Sequence, residues 1–420
     1  MSESHAVSDT SSARFEIDLF SPGVIADPQP VYKRLRDNHP IYYSAEYDTY
    51  FLSRFDDVWE ALRVGDNALL ATESNLPTPE YLRTHRNSGA PPFASINPLA
   101  PGPRLPSPWY EEMRLAHAGP LRPKSVAALG EFIHELACER LRQLLPRRKF
   151  NLTMDYAGLV GVTVICSLFG LPPSRAENLM NKVNEITRYR PGEKSIDLST
   201  FFTALTQDIV PAIQARRDAG ADGTNGLIDG LINYRMEPDR RALSDGEIAD
   251  QLVCAMVGGI ESMPKVTAQG VMELWRRPEQ LEAVRRDLDK NVPIAVQEMI
   301  RYCAPAQYTF RTAHKDVTVA GQQVKAGQRV ACMLHSASRD EREFEDPDSF
   351  IWNRPIRRVL SFGLGQHHCI GKHLARLEVA ILVKALLSQV KSFEFILDDA
   401  IQNAGYMQRG WINLPIVVAG

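Results

Sequence analysis

Between Ser244 and Arg277 one helical pattern runs for roughly 30 residues, about 45 Å at the rise of an α-helix and long enough to cross the whole molecule. Ser244-Asp245-Gly246-Glu247 has the order of a capping box, with Ser244 as N-cap and Glu247 three positions on, and Pro278 stops the helix. Inside it lies Gly258-Gly259-Ile260-Glu261-Ser262-Met263-Pro264. A glycine within a helix costs about 1 kcal/mol relative to alanine, and Pro264 offers no N–H to the carbonyl of Ile260. These residues predict a local opening or kink beside an acid and an alcohol. Helix–helix packing by small residues with a tolerated bend explains them equally well.

Around this helix the chain reads as mainly α with a minor β part. Asp27–Asn38 is helical and ended by Pro40, while Ile41–Phe55 alternates and reads as a strand pair turning around Glu46–Thr49. Nine of the 28 prolines fall between Pro77 and Pro108, which predicts a long ordered loop, neither helix nor sheet interior. From Glu111 to about Arg301 the pattern is helical again; Val317–Val319 and Gln328–Met333 read as short strands. An irregular charged stretch runs to Arg358, and a last helix begins near Gly371 with Leu374, Leu377, Ile381 and Ala385 on one face. No internal repeat or low-complexity linker divides the chain. The expectation is a flexible N-terminus, 1–15, followed by a single domain, 16–420.

The net charge of −3 carries no global basic excess and argues against a nucleic-acid partner. The Ser-rich start lacks the charged head and apolar middle of a signal peptide, and no run approaches the roughly 18 apolar residues of a membrane span, so no anchor is expected. Cys138, Cys166, Cys254, Cys303, Cys332 and Cys369 are widely spaced and form no CxxC pair, which points to a reducing cytoplasm. Most should be small buried hydrophobes.

Cys369 sits in a different frame, Phe362-Gly363-Leu364-Gly365-Gln366-His367-His368-Cys369-Ile370-Gly371. Two glycines at i and i+2 permit a tight turn, and Gly371 lets the backbone approach a flat partner. The cysteine precedes a helix, where free N–H groups and the dipole favour an anion, conditions expected to lower a thiol pKa. Taken alone, a cysteine at such a place is more often a packed core residue. His367, His368 and His373 suggest zinc, yet zinc motifs separate ligand pairs by a longer loop, and the glycines have no part in that reading.

This segment resembles the cytochrome P-450 cysteine loop, Phe-Gly-x-Gly-x-His-x-Cys-x-Gly, at every fixed position. The resemblance implies the helix-rich prism of that superfamily, with a long helix arched over haem b and Cys369 as the thiolate ligand of its iron. Three further matches lie in the family's order. Glu298-Met299-Ile300-Arg301 is similar to the family's Glu-x-x-Arg helix, which joins a later arginine, here Arg354, in a buried charge network behind the loop. Arg311 resembles the arginine that pairs with a haem propionate, with His367 on the other propionate. Arg114 matches the arginine of the family's early His-x-x-x-Arg anchor, whose histidine is Tyr110 in this chain. In the long helix Gly258, Gly259 and Glu261 fit the family's small-Gly-x-acid-Thr segment, and Ser262 replaces the threonine, keeping the hydroxyl but losing the methyl group that restrains χ1. The resemblance gives Glu261 the delivery of protons through water, and Ser262 a hydrogen bond to the oxygen under activation.

The activity implied by the resemblance is that of a monooxygenase, which inserts one atom of O2 into a small or medium hydrophobic substrate by hydroxylation or oxidative dealkylation. Its electrons would come from a separate ferredoxin or flavodoxin docking on a basic face that draws on Arg114, Arg122, Lys124, Lys372 and Arg376. A monomer in the cytoplasm is expected. Substrate contacts are assigned to Phe93 and Ile96 in the proline-rich loop, to Ile260, Gln307 and Tyr308, and to Met407 in the C-terminal turn. The rival readings are a peroxide-driven haem-thiolate oxygenase and a non-catalytic haem-thiolate sensor or binding protein.

Overall fold

The computed structural model describes residues 15–65, 67–71, 73, 77–85, 107–187, 198–237, 239–405 and 407–419. Its axis is the helix Asp245–Trp275, 31 residues long. Ser244 accepts a hydrogen bond from the Glu247 N–H, and the Glu247 carboxylate accepts from the Ser244 N–H in return, so the capping box closes as the sequence expects. The helix runs on through Pro264 without a break. Packing favours this continuity: the helices Leu159–Leu168, Leu198–Asp218, Leu288–Cys303 and Lys372–Gln389 all lie against it. With neighbours on most sides, even its polar residues Gln251, Glu261, Lys265 and Glu273 are buried.

The β part is small. A five-stranded sheet has the order Ile41–Ser44, Thr49–Leu52, Arg329–Cys332, Thr309–Ala313, Leu69–Leu70. Thr49–Leu52 and Arg329–Cys332 run parallel, and the other neighbours antiparallel, with Val330 opposite Arg311. A C-terminal hairpin pairs Ile401–Ala404 with Arg409–Asn413 and packs on the long helix. The proline-rich segment needs one correction: Pro79–Thr84 is a short helix. Pro79 stands at its first turn, where an N–H is dispensable, and the Thr78 hydroxyl accepts from the Tyr81 N–H at 3.1 Å. Residues 86–106, with Phe93 and Ile96, lie outside the described residues, as does the terminus 1–14. Among the described residues no helix is long and apolar enough to cross a membrane.

Two buried charge sites shape the region behind the cysteine loop. Glu298 and Arg301 are fully buried one helical turn apart, and Arg301 donates to both carboxylate oxygens at 2.7 and 2.8 Å. Arg354 donates to the same carboxylate at 3.1 and 3.2 Å. The remaining guanidinium N–H groups donate to carbonyls of Ser338, Pro347, Asp346 and Ser349, which pins the irregular stretch before the cysteine loop to the helix Leu288–Cys303. The second site is Glu378 on Lys372–Gln389, buried, with one carboxyl oxygen lacking any hydrogen-bond partner. Desolvation pushes its carboxyl up to about 8.

Removing the shared anion leaves two guanidiniums buried without their charge partner. Glu298→Ala is expected to lower stability by about 3–5 kcal/mol, read as a fall in the urea midpoint. Glu378 makes stability depend on pH. Between an unfolded value near the ordinary 4.5 and about 8, the native state holds a proton that the unfolded chain releases. Stability therefore falls as pH rises across that window, by up to about 1.4 kcal/mol per pH unit from this group. Glu378→Gln should flatten that slope in urea titrations run from pH 5 to pH 8.

Candidate functional site

The cysteine loop is held by its own backbone. The Gly363 N–H donates to the Leu360 carbonyl and the Cys369 N–H to the Phe362 carbonyl, both at 2.8 Å. A 3-10 turn, Gly365–His367, fills the space between. Gly365 has φ +70°, and a Cβ there would collide with the Leu62 carbonyl, so glycine is required both for the turn and for its seat against the helix Phe55–Arg63. Gly371 caps the helix Lys372–Gln389. Cys369 ends up facing a cavity of about 380 Å³, bounded also by Phe362, Gly363, His367 and Gly371.

The thiol behaves differently from the expectation built on its place before a helix. Burial pushes its pKa above the ordinary value, and the Gly371 N–H with Arg114, Lys372 and Arg376 offsets only part of that rise. Removing an anion from water in this apolar setting outweighs the helix start. A metal bonded to the sulfur would reverse that rise, because a coordinating metal deprotonates a thiol outright. Zinc does not fit: among the described residues no group of three or more His, Cys, Asp or Glu is arranged to hold a metal ion. The donor chemistry suits a metal that brings its other ligands with it.

Cationic and hydrogen-bonding groups wait on the same cavity. Arg311 lines it from the strand Thr309–Ala313, fully buried, donating only to the Thr309 hydroxyl and the Phe310 carbonyl; no carboxylate among the described residues pairs with it. Both ring nitrogens of His367 are buried without a partner among the described residues. Burial, then Arg311 and Arg114, hold its imidazole down to about 3, so it is neutral. Tyr110 lies over that ring at 4.2 Å and accepts a hydrogen bond from Arg114 at 2.9 Å. Two guanidiniums with no carboxylate paired to them among the described residues, a phenol and an unsatisfied imidazole facing one cavity, where the only lining carboxyl described, Glu378, is held protonated by burial, fit a bound group carrying carboxylates. The residues present therefore fit haem, whose propionates and iron meet these two needs.

Opposite the cysteine, Gln251, Ala255, Gly258, Gly259, Ser262 and Val266 face the cavity from the long helix, spaced three and four apart as one helical stripe. Glu261 and Ile260 lie off that stripe. Ile260 is buried in the same hydrophobic cluster as the cavity-lining Met113, Ile165 and Phe169, but does not itself line the cavity. The Glu261 carboxylate is paired with Lys265 Nζ one turn on, both side chains buried, while Ser262 turns inward. The acid and the alcohol are thus parted. Tyr308 lines the cavity, its hydroxyl 2.6 Å from that of Tyr32. Gln307 does not: its amide accepts from Tyr32 and donates to the Gly405 carbonyl. Met407 packs instead with the N-terminal aromatic cluster around Phe20 and Tyr47. Of the expected basic face, Arg122 and Lys124 are exposed, whereas Arg376 lies over the Phe362 ring and donates to Gln297.

Several lining residues had no signal that singles them out. His117, neutral because burial lowers it to about 4, projects from the helix Trp109–His117. Glu378 reads in sequence as an ordinary helical charge. Met263 and Val266 were readable from the spacing of the helical stripe.

With this geometry in view, relatives can be compared. A family model described as Cytochrome P450 matches residues 174–403, more than half of the chain. Among characterised sequences, the polyketide biosynthesis cytochrome P450 PksS of Bacillus subtilis is 26% identical over 399 residues, covering 93% of this chain and 95% of its own. The methyl-branched lipid omega-hydroxylase of Mycobacterium tuberculosis is 28% identical over 290 residues, 68% of this chain and 67% of its own. Two solved structures share the fold. P450BioI bound to an acyl carrier protein ligated with hexadec-9Z-enoic acid superposes with TM-score 0.78 and 24% identity, covering 95% of this chain and 99% of that one. CYP108D1 from Novosphingobium aromaticivorans has TM-score 0.79 and 23% identity, with 95% and 96% covered. A cysteine facing the cavity, a wall of arginines and imidazole that suits carboxylates, and these likenesses agree: the chain belongs to the cytochrome P450 family and is a haem b-dependent monooxygenase of the bacterial type.

Proposed function

We propose that this chain hydroxylates or oxidatively dealkylates a small or medium hydrophobic compound, using electrons from a separate ferredoxin or flavodoxin. One observation carries the reading: Cys369 opens onto a cavity that is also lined by Arg311, which has no carboxylate partner among the described residues, and by His367, whose two ring nitrogens have no partner there. In this reading Cys369 ligates the iron; Arg311, His367, Arg114 and Tyr110 hold the propionates; Phe362, Gly363, Gly365 and Gly371 shape the loop; and Glu298, Arg301 and Arg354 brace it. Residues 16–420 act as one catalytic unit. Bound through a thiolate, haem supplies reductive activation of O2, the sulfur's electron density favouring O–O cleavage.

The chain's own residues prepare that chemistry. Ile165, Phe169, Leu227 and Met113 make the side away from the cysteine apolar, which excludes bulk water and favours hydrophobic substrates. Names such as lipid omega-hydroxylase among the relatives support a substrate with an extended apolar part. Ser262 offers its hydroxyl from the helix face opposite the sulfur. Arg122 and Lys124 are exposed and suit an acidic electron carrier. One observation favours the peroxide-driven alternative: the Glu261 carboxylate is engaged by Lys265 off the cavity wall, so proton delivery by Glu261 requires that ion pair to open.

In the ferrous protein under carbon monoxide, a strongly red-shifted Soret band is expected, and Cys369→Ser should abolish it; a wild-type band without that shift sinks the assignment. For a substrate found by difference-spectrum screening, Ser262→Ala should keep its haem while product per electron falls about tenfold and hydrogen peroxide rises. Turnover supported by added peroxide but not by a ferredoxin couple, and unchanged in Ser262→Ala, selects the peroxide-driven reading instead.

A further inference from the structure

Ser262 lacks the β-methyl group that would restrict its χ1, so nothing intrinsic holds its hydroxyl in one of the three staggered positions. The C-terminal turn brings a partner to it. The Ser262 hydroxyl lies 3.2 Å from Gln408 Oε1 and donates to it, a side-chain contact across 146 positions of sequence.

Gln408 is placed by backbone on both sides. The Gln307 N–H donates to the Met407 carbonyl at 3.1 Å and the Arg409 N–H to the Pro305 carbonyl at 2.8 Å, forming a bridge between Ala306 and Gln408. Arg409 then donates to the Ile25 and Ala26 carbonyls at 2.8 and 2.9 Å. Next in sequence, Gly410 has φ +146°, and a Cβ there would meet the Lys265 side chain at 2.8 Å. Glycine therefore lets the hairpin lie directly on Lys265, whose ammonium holds Glu261. One short run, residues 408–410, thus touches two consecutive devices of the long helix: the Ser262 hydroxyl and the lysine that engages the acid.

We propose that Gln408 is a positioning residue that selects the Ser262 rotamer and so does, from outside the helix, what a β-methyl group would do from within. The inference rests on the reading that Ser262 faces the oxygen side of the haem. Gln408 does not line the cavity, so its effect passes through the serine. Gln307, Arg409 and Gly410 are then the supports of that contact.

The test uses the haem-loaded protein as its ferrous carbon-monoxide adduct, whose C–O infrared band reports the polar group nearest the bound diatomic. Wild type should give one dominant band. In Gln408→Leu the minor band should grow about fivefold relative to the major one, the population change expected from losing one hydrogen bond. In Ser262→Thr/Gln408→Leu the single dominant band should return, because the methyl group restores the restraint without the glutamine. A wild-type spectrum in Gln408→Leu overturns the proposal, and so does a second band that persists equally in the threonine background, since that marks general loosening of the hairpin. Ser262→Ala separates the two levels. If it leaves the band unchanged, the oxygen-side placement of Ser262 itself fails and the positioning role falls with it; if it moves the band while Gln408→Leu does not, only the positioning role fails.

Discussion

Everything at this site depends on the cost of carrying a negative sulfur into an apolar cavity. Burial raises the Cys369 thiol, and the cations and the Gly371 N–H around it do not compensate. A metal bonded to the sulfur would stabilise the anion, and among the described residues the surroundings hold no cluster of protein ligands for one. The protein's task is thus reduced to presenting one sulfur atom, at a fixed height, to a group that brings its own equatorial ligands. The Cys369 N–H bound to the Phe362 carbonyl, the 3-10 turn and the close seat of Gly365 against Leu62 all serve that placement.

Such placement has to be anchored elsewhere, because a loop alone orders poorly. Glu298 takes two arginines at once, and those arginines satisfy carbonyls of the irregular chain leading to Phe362. Buried ion pairs add little to net stability relative to apolar packing, but breaking one is costly, and this asymmetry makes the network intolerant of alternative loop arrangements. Across the cavity the same logic appears in reverse. Arg311 is buried with no carboxylate partner among the described residues, and His367 with both ring nitrogens unmet there, a cost the fold accepts where a ligand will meet it.

The long helix supplies the opposite wall, and its periodicity sorts adjacent residues to different fates. Ser262 falls on the stripe with Gly258, Gly259 and Val266; Glu261, one residue earlier and about 100° around the axis, falls off it. There it meets Lys265, one turn on, in a pair sealed by the C-terminal hairpin. A segment read in sequence as an acid beside an alcohol therefore becomes, in space, an internal ion pair and a separate hydroxyl.

Sequence by itself determined the elements whose causes are local. Ser244 and Glu247 cap the long helix within four residues; the glycine frame around Cys369 and the Glu298–Arg301 spacing carry their geometry in short range. The strand pair near Glu46 and the last helix from Gly371 were legible for the same reason. Other features depend on residues far apart in the chain. The helix at Pro79 was hidden by proline density, and its capping at Thr78 became visible only in place. Gln307 and Met407, placed by sequence at the substrate, are drawn into contacts with Tyr32 and the N-terminal aromatics. The rise of the Cys369 thiol, the raised carboxyl of Glu378 and the meeting of Ser262 with Gln408 were likewise settled by tertiary structure. Desolvation and long-range contact are properties of the assembled interior, where a group's neighbours, not its sequence position, set its charge and its partner.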